Sequence, residues 1–376
     1  MRSFNMFRSL YKVKVKSVFI LLLLMFFNLQ AQNIDNLFFG HPKLLNYNNE
    51  LPKDFLSTRT AVFISTPSGN ISKGQKDWKA IGVDAHKEFR KIGIDAVAYY
   101  HLEDVFSGID ASKAFAEDLK KRNIKNIILL ANEGTPNRPD SKATLIITPF
   151  NGDHNFIAHN QSAWKSDDSK LEKVLDDLYK FVSRLDYEKS NYLIIDQPEY
   201  FEDTRINKGK RFETFHSDLK LDKLAVPKFE EADPPDLKPE GTLNNQVQQS
   251  LTNNKEEAIA NNHRLEGIMA AYPYKYELVD PNKSEDNLRK EGFQYILLRL
   301  HTSDITIKNL LNYLPDKPGA SSLKSVTPRT EPVYKYYIKH IYSGDIYLGT
   351  DWDAASTWQE ALEIHIQNMR RELKVN

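Results

Sequence analysis

The chain of 376 residues carries 51 Lys and Arg against 51 Asp and Glu, has no cysteine and is 40% hydrophobic. These proportions are those of a globular protein, and the length suggests about two domains. The lack of cysteine excludes disulfide scaffolds, cysteine-ligated zinc and iron–sulfur sites, thiol catalysis and a lipid-anchored N-terminal cysteine, while zero net charge argues against nucleic-acid binding.

Residues 1–31 have the pattern of a secretory signal peptide: five basic residues and no acid, then an apolar run over 18–27. This run is too short for the roughly 20 residues of a membrane-spanning helix. We predict cleavage between Ala31 and Gln32, although the large Leu29 before the site could let the cut shift. An uncleaved anchor is the alternative. The mature chain is predicted to be periplasmic or extracellular, soluble, and without a transmembrane segment or lipid anchor.

Residues 32–57 are predicted to lead into a first α/β module, 58–196. Its helices show apolar residues at helical spacing, and the apolar run at 125–131 is typical of a strand buried on both faces. The predicted elements are strand 60–66, helix 76–92, strand 94–100, helix 110–122, strand 125–131, strands 143–149 and 154–159, helix 168–186 and strand 191–196.

A connector, 197–221, is predicted to join this module to a second one, 222–376. The second module reads in the same order with insertions. Its predicted elements are strand 222–229, helix 244–265, strand 267–279, helix 284–291, strand 293–300, a weak helix at 305–313, strands 333–341 and 345–350, and helix 355–374.

Four short stretches recur in the same order in the two modules, which indicates a tandem duplication. They pair 61–63 with 225–227, 90–100 with 264–274, 127–130 with 295–298, and 151–153 with 343–345. We therefore predict an α/β fold in which a strand–helix–strand–helix–strand–hairpin–helix module occurs twice. The hairpin adds antiparallel strands, so each sheet should be a mixed sheet, with the parallel pairs of an α/β fold and the antiparallel pairs of an α+β fold.

The order of elements resembles small α/β modules of exported envelope proteins. The residues that carry the resemblance are the opening strand 224–227, the segment 93–97, and the Gly-Asp turns at 152–153 and 344–345. Each repeat is similar to the N-terminal domain of the Tol–Pal periplasmic protein and to the curli-secretion lipoprotein. The resemblance implies binding and assembly without catalysis. The chain departs from it in having no lipobox cysteine and no C-terminal propeller.

Two groups of polar residues follow predicted strands of the first module. His101, Glu103 and Asp104 follow one strand, and Asp196 and Glu199 follow another. Ligands of open α/β sheets lie beyond the carboxyl ends of strands, so these side chains could bind a metal or act as acid and base. Solvated loop and capping roles are the favoured interpretation. The second module has a different pattern there, so a duplicated site is not supported.

Two other motifs suggest a ligand less strongly. The loop 69–75 has two glycines but lacks the Lys and Ser/Thr that hold phosphate and Mg²⁺, so no nucleotide, metal or other cofactor is predicted. Asp351 and Asp353 flank Trp352 before the last helix and could share a ligand. The preferred interpretation is that Asp353 caps the helix and Trp352 packs.

The connector and the second hairpin contain candidate contact surfaces. Arg205, Lys208, Lys210 and Arg211 could meet an acidic partner or lipid headgroups, although such a cluster is more often a solvated loop. If several tyrosines of the hairpin are exposed, they would form a binding face. These tyrosines are Tyr334, Tyr336, Tyr337, Tyr342 and Tyr347.

The leading hypothesis is an exported, non-enzymatic envelope protein with two modules. It would bind or assemble with an envelope protein through the hairpins or the groove between the repeats. One alternative is a metal-assisted or acid/base hydrolase that uses the carboxylates at the strand ends. The other is a protein that binds a small molecule between the modules.

Overall fold

The computed structural model describes residues 45–66, 78–133, 142–158, 160–200, 206, 208–231, 242–313 and 332–374. The predicted signal peptide, its cleavage site and the loop 69–75 lie outside these residues. In the described part of the chain, the strands form two six-stranded mixed sheets with helices on them. The predicted mixed α/β fold is therefore confirmed.

The first sheet has the strand order β1-β6-β5-β4-β2-β3. Strands β4, β2 and β3 are mutually parallel, β5 is antiparallel to both of its neighbours, and β1 is parallel to β6. Its strands are β1 (Asn46–Tyr47), β2 (Arg59–Ser65), β3 (Asp95–His101), β4 (Ile124–Glu133), β5 (Lys142–Pro149) and β6 (Ser162–Asp168).

The second sheet has the order β7-β12-β11-β10-β8-β9, and each neighbouring pair runs in the same relative direction as its counterpart in the first sheet. Two sheets of one topology fit a duplicated module. Its strands are β7 (Arg211–Phe212), β8 (Leu224–Pro227), β9 (Tyr276–Val279), β10 (Tyr295–Ser303), β11 (Pro332–His340) and β12 (Ile346–Tyr347).

The helices divide between an inner and an outer face of each sheet. The inner helices are α2 (Leu102–Val105), α3 (Ile109–Lys121), α6 (Glu285–Lys290) and α7 (Asp304–Leu310). The outer helices are α1 (Trp78–Ile92) and α4 (Leu171–Val182) on the first sheet, and α5 (Thr242–Met269) and α8 (Trp358–Glu372) on the second.

Helical spacing in the sequence explains the outer helices. In α1, Ile81, Ala85 and Phe89 are buried on one face, as predicted. Gly93 follows with φ 95°, and its N–H donates to the Phe89 carbonyl at 3.0 Å. A glycine tolerates this left-handed conformation, so the helix ends there and the chain turns into β3.

The inner faces of both sheets share one apolar core. Phe63 and Phe115 of the first module belong to the same buried cluster as Leu298, Leu300 and Tyr337 of the second. Each outer face has a separate core beneath its own pair of helices. The two modules are therefore joined by packed side chains and not only by the chain that connects them.

Three predicted strands differ in the structure. Residues 191–196 form no strand; the Ile195 carbonyl lies 3.0 Å from His86 Nε2 of α1 and pairs with no strand. Residues 154–158, the described part of the predicted strand 154–159, form no strand, and β6 begins only at Ser162. The predicted strand 267–279 was wrong over its first half, since α5 continues to Met269 and β9 begins at Tyr276.

The structure also corrects the sequence alignment behind the duplication. Ala61 pairs with Ala98 and Ile127, and Ala225 pairs with Glu277 and Ile296. If Ala61 corresponds to Ala225, then 90–100 cannot correspond to 264–274, which lies mostly in α5 and the turn after it. The match of 127–130 to 295–298 is one residue out of phase, which would exchange the two faces of the strand.

The predicted lead-in and connector each contribute a strand at the same place in their sheets. The lead-in supplies β1 beside β6, and the connector supplies β7 beside β12. The repeating unit therefore includes a short strand before β2 and before β8.

Among the described helices, none is both long enough and apolar enough to cross a membrane.

Candidate functional site

The carboxyl end of β3 gathers several of the predicted polar residues. His101 ends the strand, and its Nδ1 lies 3.6 Å from Asp104 Oδ1 of α2. The Thr66 hydroxyl, just beyond β2, lies 3.5 Å from His101 Nε2. Both His101 and Asp104 side chains are 17% exposed. A hydroxyl, an imidazole and a carboxylate thus lie in series at loose distances at the edge where α/β sheets bind ligands.

Aromatic side chains border this series. The Trp78 ring lies 5.6 Å from the His101 ring and 5.2 Å from the Tyr200 ring. The Tyr200 hydroxyl donates to the Lys79 carbonyl at 2.5 Å, which fixes its ring against α1. The arrangement can hold an imidazole in a partly apolar pocket wall. It includes two aromatic residues that sequence patterns had not singled out.

The other predicted carboxylates have partners elsewhere. Asp196 is 82% exposed and pairs with Arg90 at 2.5 Å, near the end of α1. Glu199 lies 3.9 Å from Arg122, at the end of α3. Glu103 lies in the first turn of α2. Among the described residues, no three His, Asp or Glu side chains come together as a group that could hold a metal ion.

The basic residues of the connector are largely engaged within the chain. Lys208 pairs with Glu117 of the first module at 2.9 Å, and Arg211 pairs with Glu213 at 3.0 Å. The Lys210 backbone N–H donates to Asp345 at 2.5 Å. Arg205 lies outside the described residues. This segment therefore helps to hold the modules and the second hairpin in place.

A buried ionic group near the start of β11 escaped the sequence analysis. Lys335 Nζ lies 2.5 Å from Asp353 Oδ1, with both side chains fully buried, and His365 Nδ1 lies 2.7 Å from the other carboxylate oxygen. Burial lowers the pKa of His365, which favours its neutral form. The prediction that Asp353 caps the last helix was therefore wrong. The Thr357 side chain caps this helix.

A second ionic group joins the modules. Lys339 of β11 donates to Asp110 of α3 at 2.9 Å and to Glu285 of α6 at 2.8 Å. The Tyr337 hydroxyl donates to the same Asp110 carboxylate at 3.3 Å. Although desolvation acts against it, the two carboxylates raise the pKa of Lys339. Nearby, the backbone N–H of His301 donates to the Ser107 carbonyl at 2.6 Å. These bonds fix the modules relative to each other.

The predicted tyrosine face is mostly buried. Tyr336, Tyr337 and Tyr347 belong to the cores, and Tyr334 is half-buried. Tyr342 alone of the five is well exposed, at 57%. Alternation along β11 explains this, because Tyr334 and Tyr336 face the outer helices while Tyr337 faces the shared core.

The outer edges of the two corresponding edge strands, β3 and β9, differ in whether other residues pair with them. In the first sheet, the Tyr99 N–H of β3 donates to the Glu199 carbonyl at 2.9 Å, and Tyr200 forms a parallel bridge with Tyr99. The chain thus covers the outer edge of β3. In the second sheet, β9 takes the same position, and no described residue pairs with its outer edge.

No family model, curated protein or solved structure matches this chain. The resemblance to the Tol–Pal and curli-secretion modules therefore stays a prediction.

Proposed function

We propose that the chain is an exported, non-enzymatic protein of the cell envelope that binds an extended segment of a protein partner along the outer edge of β9. The observation that carries the proposal is the uncovered edge of this strand. An unpaired strand edge presents a row of amide groups that readily add a further strand.

The direction of the backbone groups supports this proposal. The Lys275 and Val279 carbonyls accept hydrogen bonds from Leu224 and Lys228 across the inner side of β9. Because amide groups alternate along a strand, Tyr276 and Leu278 direct theirs outward. The chain itself supplies an occupant at the same edge of the first module, in residues 199–200. A partner segment would take the corresponding place on the second.

The junction of the modules favours this interpretation over a small molecule bound between them. Apolar side chains of both inner faces pack into one core, and the Lys339 group bridges the helices. A rigid pair of modules can present one edge in a fixed orientation. A ligand between them would have to displace packed side chains at a cost in stability.

A proline at the outer edge tests the proposed strand addition. Leu278→Pro removes an outward N–H and leaves the inner bonds to β8, since prolines are tolerated at strand edges with the missing N–H facing outward. Leu278→Ala is the matched control, because it shortens the same side chain and keeps the N–H. An envelope protein retained by wild type and Leu278→Ala, and lost with Leu278→Pro, is the expected result. Equal retention by all three would contradict the proposal.

Export has its own test. We expect mass spectrometry of the protein recovered outside the cytoplasm to give Gln32 as the first residue. Recovery of the full N-terminus from the membrane fraction would instead indicate the uncleaved anchor.

One observation favours acid/base hydrolysis as a second function, namely the series Thr66, His101 and Asp104. Distances of 3.5 Å and 3.6 Å are long for hydrogen bonds, but catalytic bonds in unliganded sites often tighten on binding substrate. Hydrolysis of ester or phosphoester substrates that His101→Ala abolishes would support this function. The matched control is His154→Ala, because His154 pairs with an acid in a surface turn.

A further inference from the structure

The outer face of the second sheet carries four polar or aromatic side chains where β10 and β11 run side by side. Arg299 pairs with Tyr336 across the two strands, and His301 pairs with Tyr334. We call these four residues the outer quartet. They lie near the carboxyl end of β10, under the outer helices α5 and α8.

The first module has no such group at the corresponding place. With Ala61 matched to Ala225, the strand registers place Leu130 and Leu145 where the second module has Arg299 and Tyr336. Leu130 and Leu145 are fully buried in the outer core of the first sheet. A leucine pair therefore satisfies the fold at this position, and packing does not require an arginine there.

The Arg299 side chain lies over an aromatic ring. Its guanidinium lies 4.1 Å from the centroid of the Phe229 ring, which in turn packs on Trp358 at 4.8 Å. Among the described residues, no acid forms an ion pair with Arg299. Burial raises the pKa of the Tyr334 hydroxyl, and Glu257 of α5 adds to this effect while Arg299 opposes it. Within the described part of the chain, this half-buried cation therefore has no ion-pair partner.

The other members of the quartet offer neutral polar groups. The Tyr336 side chain is 4% exposed, and its hydroxyl lies beside the Arg299 guanidinium with no hydrogen-bond acceptor among the described residues. The His301 and Tyr334 rings stack in parallel with centroids 3.9 Å apart. Burial lowers the pKa of His301 to about 4, with Arg299 adding to the effect, so the imidazole is neutral at pH 7.

The place of the quartet in the topology is that of a ligand crevice. The chain leaving β8 leads to α5 on the outer face, whereas the chain leaving β10 leads to α7 on the inner face. Adjacent parallel strands whose connections go to opposite faces open a crevice at their carboxyl ends. Phe229 and Arg299 lie at this crevice, between β8 and β10.

We propose that the outer quartet and Phe229 form a binding site for a small organic anion, a carboxylate or a phosphate ester with a planar apolar body. The Arg299 guanidinium receives the anionic group, for which its fork of N–H donors is suited, and the Tyr336 hydroxyl donates to the same group. Phe229 and Tyr334 contact the apolar body. This site is independent of the strand addition proposed at β9.

Calorimetric titration of the mature chain tests the site with a panel of aromatic carboxylates, the matching phenyl phosphates and their uncharged alcohols. The variant is Arg299→Leu, which installs the residue type of the first module. The matched control is Arg264→Leu, on the exposed side of α5. We expect at least one anion of the panel to bind with a dissociation constant below the millimolar range, and Arg299→Leu to weaken it by about tenfold or more.

Comparison of the carboxylates, the phosphates and the alcohols identifies the class of anion. Preference for carboxylates or for phosphates assigns the class, and loss of binding by the alcohols supports recognition of the charge. Thermal unfolding of Arg299→Leu in the absence of ligand shows whether the variant folds. Tyr336→Phe, which keeps the ring and removes the hydroxyl, is the second variant. Failure of every anion to bind, or equal affinity of wild type, Arg299→Leu and Tyr336→Phe, would overturn the proposal.

Discussion

Leu130 and Leu145 meet on the outer face of the first sheet, and Arg299 and Tyr336 meet at the corresponding place in the second. The inner faces, by contrast, pack their apolar side chains into one shared core, with the Lys339 group between their helices. Each outer face also has an apolar core, but at this one position the second sheet carries polar side chains where the first carries leucines. Since the leucine pair shows what packing alone needs, the polar residues of the second module point to binding.

The largest expected difference in stability between the modules lies one residue before Tyr336 in β11 and one residue before Leu145 in β5. The strand registers match Lys335 with Thr144, which donates to Asp167 at 2.6 Å. Lys335→Met leaves Asp353 buried without its cation, and we expect a loss of about 3–5 kcal/mol in the free energy of unfolding. Thr144→Val removes a single neutral donor and should cost about 1 kcal/mol. Urea unfolding of the two variants measures both.

Equal losses in the two variants would contradict this reasoning. They would indicate that the two positions support their sheets in the same way despite the different charges.

The sequence predicted the features that depend on local pattern. Apolar spacing located α1 and α4 to within a few residues, and Gly93 marked the end of α1. The position of His101 after a strand correctly placed it at the edge of the sheet, next to Asp104. Such features are set by residues close in the chain, so one sequence is enough to find them.

Features that depend on long-range pairing were missed. Asp353 resembles a helix cap in sequence, but its partner Lys335 comes from a different strand. Arg299 lies within an apolar strand and belongs to no sequence motif. Its pairing with Tyr336 depends on the register of β10 and β11, which a single sequence does not show. The alignment of 90–100 with 264–274 failed for the same reason, since similar residues do not report which strand they pair with.

The junction of the modules can be disturbed by a single methyl group. A Cβ on Gly108, before α3, would clash with the Arg299 carbonyl oxygen of the second module. Because the clash is with backbone, Gly108→Ala should cost about 1–3 kcal/mol. Gly267→Ala is the control, since a Cβ at this helical position meets nothing within 4 Å. It should stabilise the chain by about 0.5–1 kcal/mol. Differential scanning calorimetry would show opposite shifts in melting temperature, and a gain in both variants would contradict the close junction.

The smallest expected effect is a difference between the modules in how stability depends on pH. His301 has a folded pKa of about 4, below its ordinary value near 6.5, so the unfolded chain binds more protons between these values. Stability should therefore fall as the pH drops through this window. Asn132, which does not titrate, takes the place of His301 in the first module. We expect His301→Gln to remove about 1 kcal/mol of the loss between pH 7 and pH 5, after allowing for partial exposure.

Urea unfolding at several pH values measures this slope, and His263→Gln on the exposed side of α5 is the matched control. The control should keep the wild-type slope, because its side chain is exposed on α5 and does not belong to the outer quartet. Buried His86 and His365 have lowered pKa values as well and stay in both variants, so some loss of stability in acid should remain. An unchanged slope in His301→Gln would mean that the ring becomes protonated freely in the folded protein, and that the crevice around the outer quartet is open to water.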